Sequence, residues 1–242
     1  MAKTNGLNVR LYTAGYDLSG DANALSGMGY TNELLDVTTL DVSARKRIVG
    51  IVDSEISVEA FFDNAASRQH AVWTSNSNKL PTADQLVLIP MGSAAGDAGV
   101  GLVSKQGTYN IARGPGSAIT ASTTYSANGS GAEYGEMLTA HDDTHSSAGS
   151  GTVVDSGAAT TNGGTGYLQV FSVASGSVTV NLQESTSSGG SYSNFQTFST
   201  VAAAGAPTAE RLEMTGNVAR YLKVTTTGTF SDAKIAVLFS RS

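Results

Sequence analysis

The sequence predicts a mostly β protein. Its apolar residues recur with period two, clusters of Gly, Ser and Thr break them into short runs, and only one stretch is typical of a helix. Leu7, Val9 and Leu11 show the period, because polar residues stand between them. The chain has 242 residues, 28 of them glycine, and 40% are hydrophobic, which is enough for a folded core.

The strongest strand of the N-terminal half is predicted at residues 54–62. Ile56 and Val58 take one face, whereas Glu55 and Glu59 take the other. Further strands of this half are predicted at residues 7–11, 33–40, 85–90, 100–106 and 117–126.

A single helix is predicted directly after that strand. Asp63 or Asn64 is a suitable N-cap, and residues 65–73 contain good helix formers. His70 on this helix lies near Trp73 in sequence, so we interpret it as a packed or interface side chain and not as a general base.

The C-terminal half contains about six short apolar runs and no helical segment. This pattern predicts an antiparallel β-sandwich of jelly-roll or Ig-like type. Leu222 and Val224 are predicted to form a hairpin across Gly228 with residues 235–239.

A Gly/Ser/Thr-rich stretch divides the two halves. Residues 146–165 contain few large apolar groups and are predicted to form a flexible linker. The predicted domains are therefore residues 1–145, with net charge −6, and residues 166–242, with net charge +1. We expect the first domain to assemble without the second.

Composition excludes several classes of protein. The sequence has no cysteine, which excludes disulfide frameworks and thiolate chemistry. The net charge of −6 disfavours a protein that grips nucleic-acid phosphates. No apolar run is long enough to span a bilayer, and the N-terminus lacks the pattern of a secretion signal. We expect a protein that is made in the cytosol and used or assembled there.

No motif predicts a metal site or a cofactor. His141 and His145 could share a helix face and hold zinc, but a solvated segment is the favoured interpretation. Asp17 and Asp21 resemble half of a calcium loop, but Met28 stands where the bidentate Glu is required, so a turn is favoured.

The sequence also does not predict an enzyme. Glu55 and Glu59 lie about 13 Å apart on one strand face, which exceeds the spacing of either glycosidase geometry. The basic run Arg45, Lys46 and Arg47 has no interleaved aromatics, so it is a candidate for an interface and not for nucleic-acid binding.

The chain resembles the major tail proteins, or tail tube subunits, of long-tailed (siphovirus-type) bacteriophages. The resemblance covers most of the sequence and rests on the order and texture of several segments. These are residues 11–12 with 17–21, 55–66, 103–106 with 113–114, 138–140 and 220–230.

The resemblance implies a fold and a role. In that family a β-sandwich or partial barrel with a flanking helix forms rings of six copies, and stacked rings enclose a channel for the genome. Some members carry an additional C-terminal β-sandwich outside the tube. The implied partners are other copies of the chain, a tape measure protein and a tail terminator, and DNA would pass without specific binding. The implied location is the phage tail, assembled in the host cytoplasm.

Within that family likeness, five residues are candidates for channel-facing or intersubunit positions. Glu55 and Glu59 would either line the channel or pair with Arg45, Lys46 or Arg47 of a neighbouring subunit. Two other roles stay open: a capsid decoration or cement protein, and a tail-tip adhesin. In the adhesin, the C-terminal domain would bind carbohydrate through Tyr167, Tyr192 and Tyr221.

Overall fold

A computed structural model describes residue 6, residues 8–75 and residues 80–242. The described chain is nearly all β, which confirms the predicted fold class. The strands, in chain order, are β1 (Tyr12–Thr13), β2 (Tyr16–Asp17), β3 (Ala22–Ser26), β4 (Thr31–Asp36), β5 (Arg47–Asp53), β6 (Glu55–Phe61), β7 (Gln85–Pro90), β8 (Ala98–Ala112), β9 (Thr120–Ala127), β10 (Glu133–Met137), β11 (Thr144–His145), β12 (Gly149–Ser150), β13 (Val154–Asp155), β14 (Gly164–Ser185), β15 (Ser193–Thr197), β16 (Val201–Ala202), β17 (Thr208–Met214) and β18 (Tyr221–Arg241).

One antiparallel sheet runs through both halves of the sequence. Its main path is β15-β14-β18-β10-β8-β7-β1-β2, and β3, β6 and β9 join it through β8. Strand β10 pairs with β8 on one side and with β18 on the other. The two predicted modules are therefore joined by a continuous hydrogen-bonded ladder. In the described ranges, only β4 and β5 form a separate sheet, a two-stranded hairpin.

The N-terminal core follows the predicted period. Ile56, Val58 and Ala60 of β6 are buried, whereas Glu55 and Glu59 are exposed. Strand β7 matches the predicted residues 85–90 and is buried on both faces. The prediction at residues 7–11 falls partly outside the described residues, because residue 7 is not among them.

The helix α1 (Gln69–Trp73) exists but is shorter than predicted. Ser67 has a φ of +63°, so the left-handed backbone at this residue prevents the helix from starting at residue 65. The Asp63 carboxylate accepts the Ala65 N–H at 2.9 Å and stabilises a turn before the helix. Trp73 is buried in the N-terminal core.

The predicted hairpin at Gly228 is wrong. Strand β18 passes through Gly228 without reversing, and it pairs with β14 from Gly164 opposite Arg241 to Ser185 opposite Tyr221. The residues that were expected to pair with each other across Gly228 instead pair with β14, because β14 is long enough to cover the whole of β18.

The segment 146–165 is not a free linker, which corrects that part of the domain prediction. Strands β12 and β13 lie along β18, and the Gly151 N–H donates to the Val224 carbonyl at 2.8 Å. Val154 is 4% exposed and packs in the C-terminal core. The open edge of β18 explains the pairing, since unpaired strand edges accept any chain that reaches them. The two-domain division itself stays a prediction.

Buried polar contacts also connect the two halves. The Gln169 side chain is fully buried, donates to the Leu86 carbonyl at 2.8 Å and accepts the Gly15 N–H at 2.6 Å. The Tyr167 ring lies so close to Gly101 that a Cβ there would be 2.7 Å from it. In the parts of the chain that the structure describes, no helix is long and apolar enough to cross a lipid bilayer.

Candidate assembly surfaces

The hairpin β4–β5 presents apolar side chains on both of its faces. Leu34 lies opposite Val49, and the next pair along the ladder is Leu35 opposite Ile48. Because successive residues of a strand point to opposite faces, these two pairs give each face an apolar surface. All four side chains are exposed.

The exposure continues along the whole hairpin. Ile51 is 77% exposed, and Leu40 at the distal end is fully exposed. A two-stranded hairpin is at best marginally stable in water without something to pack against. Nothing in the described part of the chain covers these residues.

The basic run lies at the distal end of this hairpin. Arg45, Lys46 and Arg47 are exposed, and no ion pair to them forms within the described residues. Strand β5 then runs from Arg47 to Asp53, about 20 Å at ~3.3 Å per residue. This ladder holds the basic run away from β6 of the same chain.

Glu55 and Glu59 lie on an outward polar face built by β6, β9 and β8. Side chains in register on this face carry mostly hydroxyl groups, so it is named the hydroxyl face. Its members are Glu55, Ser57 and Glu59 of β6, Ser122, Thr124 and Ser126 of β9, and Thr108 and Asn110 of β8.

The hydroxyl face carries few charges. The Thr108 and Thr124 hydroxyls are 2.9 Å apart and bond to each other. Lys105 lies at the border of the face, because it pairs with Ser126, which pairs with Glu55 on its other side. The Lys105 ammonium, however, lies 2.6 Å from the Asp84 carboxylate. Glu55 and Glu59 form no ion pair within the described residues. The face therefore offers hydroxyl groups and two free carboxylates.

A groove lies at the base of the hairpin, between β4–β5 and the loop after β9. Its volume is about 890 Å³, and its lining includes Ile51, Val52, Glu33 and Asp53. Gly131 closes the far side, where a Cβ would lie 2.9 Å from Val52 Cγ1, so the close approach of the loop favours glycine. The groove combines apolar walls with two carboxylates.

The tyrosines proposed to stack on sugars occupy different environments. Tyr167 is buried, and its hydroxyl donates to the Glu133 carboxylate, which the Arg211 guanidinium also binds at 2.9 and 3.0 Å. Burial raises the pKa of Tyr167 above its usual range. A ligand cannot stack on this ring.

Tyr192 and Tyr221 are both partly exposed at the outer end of the β14–β18 ladder. The Lys223 ammonium lies 4.2 Å from the ring centroid of Tyr192, and the Arg220 guanidinium lies 5.1 Å from that of Tyr221. One face of each ring is therefore covered by a cation of the same chain.

The histidines do not assemble a catalytic or metal centre. His70 Nδ1 is 2.6 Å from the Tyr109 hydroxyl, and its ring packs 4.9 Å from Phe62, so it is a packed side chain. His141 and His145 are not on a helix; burial and the Arg10 guanidinium lower the pKa of His141. Within the described ranges, no group of three potential metal ligands converges.

The Asp17–Asp21 segment forms a turn. The Asp17 carboxylate accepts the Ser19 N–H at 2.9 Å, and Asp21 accepts the Gln69 N–H at 3.1 Å. Asp21 is thus a structural residue that fixes the start of α1 against this turn.

Sequence reasoning missed the apolar hairpin. It predicted a strand at residues 33–40 and a basic run after it, but not their pairing into a projecting element. A signal was present, because Ile48, Val49, Ile51 and Val52 follow each other with one glycine between them. Such a run predicts a strand that is covered on both faces.

No protein-family model and no curated protein matches this chain. Among solved structures, a chain of the virion of a native gene transfer agent particle is similar over 53% of this chain and 96% of its own, with 15% identity and a TM-score of 0.41. The SPP1 Dit (gp 19.1) protein is similar over 96% and 98%, with 10% identity and a TM-score of 0.35. A chain of the phage p2 baseplate is similar over 97% and 98%, with 8% identity and a TM-score of 0.37. All three TM-scores lie below 0.5.

Proposed function

We propose that this chain is a structural, non-enzymatic virion protein, the subunit of a phage tail tube. Copies would form rings, with six per ring by the resemblance of the sequence, and stacked rings would enclose the channel for DNA. The partners would be further copies, a tape measure protein and a tail terminator. The protein would be assembled in the host cytoplasm and would reside in the phage tail.

The observation that carries this proposal is the hairpin β4–β5. Soluble monomers rarely expose contiguous apolar surface of this kind, and large exposed patches mark interaction sites. Val49 and Leu34 on one face are 66% and 57% exposed, and Ile48 and Leu35 on the other face are 51% and 42% exposed. Two uncovered faces require partners on both sides, which a repeating assembly supplies and a simple monomer does not.

The hydroxyl face supports the role of a channel wall. DNA slides past a surface that does not bind its phosphates, and the side chains that bind phosphates are those of Lys and Arg. In a ring of six, Glu55 and Glu59 would present twelve carboxylates, which repel the genome. The single Lys at the border is neutralised by Asp84.

Electron microscopy of the purified protein tests the proposal. Concentrated protein, with or without a seed of assembled tail, should form hollow tubes of uniform width. Ordering of the loops on assembly carries an entropic cost, so the unseeded protein should nucleate slowly. Flat or spherical lattices would favour a cement protein, and a stable dimer that never elongates would contradict the tube.

The double substitution Glu55→Lys/Glu59→Lys tests the channel position separately. If both residues face the channel, tubes should form normally but genome passage should slow, because the lysines would attract phosphate. Glu55→Gln/Glu59→Gln is the matched control, since it removes charge without adding attraction. Loss of assembly that is rescued by reversing Arg45–Arg47 would instead assign the two glutamates to an intersubunit ion pair.

A further inference from the structure

The hairpin β4–β5 is polarised in charge along its length. Its distal end carries three exposed cations, Arg45, Lys46 and Arg47, against two carboxylates, Asp36 and Asp41. Both carboxylates already accept hydrogen bonds from neighbouring threonines, from Thr38 to Asp36 and from Thr39 to Asp41. These hydrogen bonds keep the two carboxylates ionised, and three cations against two carboxylates leave the distal end net basic by one charge.

The base of the same hairpin is acidic. Glu33, Asp53 and Glu55 are exposed there and form no ion pair within the described residues. Glu33 and Asp53 line the groove of about 890 Å³ together with Ile51 and Val52. The lining of the groove thus combines two carboxylates with apolar surface.

The hairpin of one chain cannot place its basic distal end against its own acidic base. Strand β5 places about 20 Å of extended chain between Arg47 and Asp53 at ~3.3 Å per residue, and the antiparallel ladder with β4 contains one bulge. The basic, apolar distal end and the acidic, apolar groove are complementary, so a second copy is the partner that fits.

We propose that the distal end of the hairpin of one copy seats in the groove at the hairpin base of a second copy. Leu40 would enter the apolar part of the groove, and Arg45 and Lys46 would face Glu33 and Asp53. This contact deepens the proposed tube function and rests on it for its repetition. A surface that differs from its partner surface makes a heterologous contact, which closes into rings or continues as a filament.

Other occupants fit less well. A nucleic acid needs several cations in a row along its backbone, whereas the three cations of this hairpin stand beside two carboxylates at the distal end and are followed by three more at the base. An unrelated apolar peptide would use the groove but would leave the basic distal end unmatched.

Charge reversal in two separate variants tests the contact. One variant carries Arg45→Glu/Lys46→Glu and the other Glu33→Lys/Asp53→Lys. Each alone should lose assembly, because like charges then face each other. An equal mixture should recover it, since each distal end now finds a complementary groove in the other variant. The control Arg113→Glu/Lys223→Glu makes the same change in net charge as the Arg45→Glu/Lys46→Glu variant, but away from the hairpin, and should assemble normally.

Engineered cysteines provide a readout that does not require tubes, because the natural chain has none. A Leu40→Cys variant mixed with a Thr31→Cys variant, whose exposed position lines the groove, treated with a short bis-maleimide, should give a cross-linked heterodimer. Leu40→Cys mixed with Ser188→Cys, on a distant loop, should not.

The outcomes separate this inference from the proposed function. Normal assembly of both reversed variants alone, or failure of their mixture although each variant unfolds like the natural protein, would overturn the contact. Cross-links to Thr31→Cys and to Ser188→Cys in equal yield would also overturn it. If the mixture and the natural protein formed only discrete dimers, this result would support the contact between hairpin and groove and contradict the proposed tube function. If either variant bound to immobilised DNA but not to a second copy of the chain, a second copy would be the wrong partner for the hairpin.

Discussion

The hairpin β4–β5 and the ladder β14–β18 are both antiparallel and rich in β-branched residues, but they treat their apolar side chains in opposite ways. In the ladder, Val180 and Leu182 are 1% and 0% exposed, whereas in the hairpin Val49 and Ile51 are 66% and 77% exposed. The same residue types therefore fill a core in one region and remain uncovered in the other.

The sequences of the two regions explain the difference. In β14, Val178, Val180 and Leu182 alternate with Thr179 and Asn181, so one face is apolar and packs inward. In β5, apolar residues occur at successive positions, so neither face is polar. A single chain of this size covers the one-sided ladder, but it has no second layer for a two-sided hairpin. Within the described residues, the hairpin therefore lacks the cover that the ladder obtains from its own chain.

Truncation should have the largest effect on this comparison. A stop codon after Ser150 removes β14 and β18, so β10 loses a pairing partner and the buried Met137 and Leu138 become exposed. We expect the fragment to lose cooperative unfolding and to aggregate, contrary to the independence that the linker-like sequence suggested. Near-UV circular dichroism and urea titration measure this. A fragment that unfolds cooperatively and forms narrower tubes would restore the two-module interpretation.

Leu182→Ala should destabilise the ladder strongly. Leu182 is fully buried opposite Val224, and shortening such a side chain leaves a cavity that costs about 2–5 kcal/mol. Urea unfolding should show a lower midpoint with an unchanged slope. Thr227→Ala on the exposed face of β18 is the control and should change the free energy of unfolding by less than about 1 kcal/mol.

Asp155→Asn should lower stability at neutral pH and have no effect in strong acid. Hydrogen bonds from Arg220 and from the Gly157 N–H lower the pKa of Asp155 to about 2 from its usual 3.8. A carboxyl with a lowered folded-state pKa stabilises the fold above its unfolded pKa and loses this contribution as the pH falls from about 4 to 2. Unfolding midpoints of the natural chain and the variant should thus differ at pH 6 and converge near pH 2. A constant difference across this range would contradict the linkage.

Leu34→Ser/Ile51→Ser should leave the stability of the monomer nearly unchanged. Both side chains are exposed, and surface substitutions typically alter the free energy of unfolding by no more than about 0.5 kcal/mol. Assembly, in contrast, should be lost. The measurement pairs urea unfolding of the dilute protein with sedimentation of the concentrated protein. A drop in monomer stability as large as that of Leu182→Ala would show that the hairpin packs on its own chain.

The sequence by itself determined the β class and the location of β6 and β7, because period-two alternation and continuous apolar runs are local properties. It also placed Glu55 and Glu59 on the outward face, since burial of Ile56 and Val58 fixes the direction of their neighbours. It identified Arg45–Arg47 as an interface candidate but not the projecting hairpin that carries it.

The tertiary structure alone decided how distant segments pair. Strand β10 joins β8 to β18, β18 continues through Gly228, and the Gly/Ser/Thr segment with β12 and β13 lies on the edge of β18. These outcomes depend on hydrogen bonds between residues that lie about 30 to 100 positions apart in the chain, and a polar segment has no periodicity that reveals its partner. The tertiary structure also determines the exposure of the hairpin, because only the complete fold shows which apolar faces do not pack against another part of the chain.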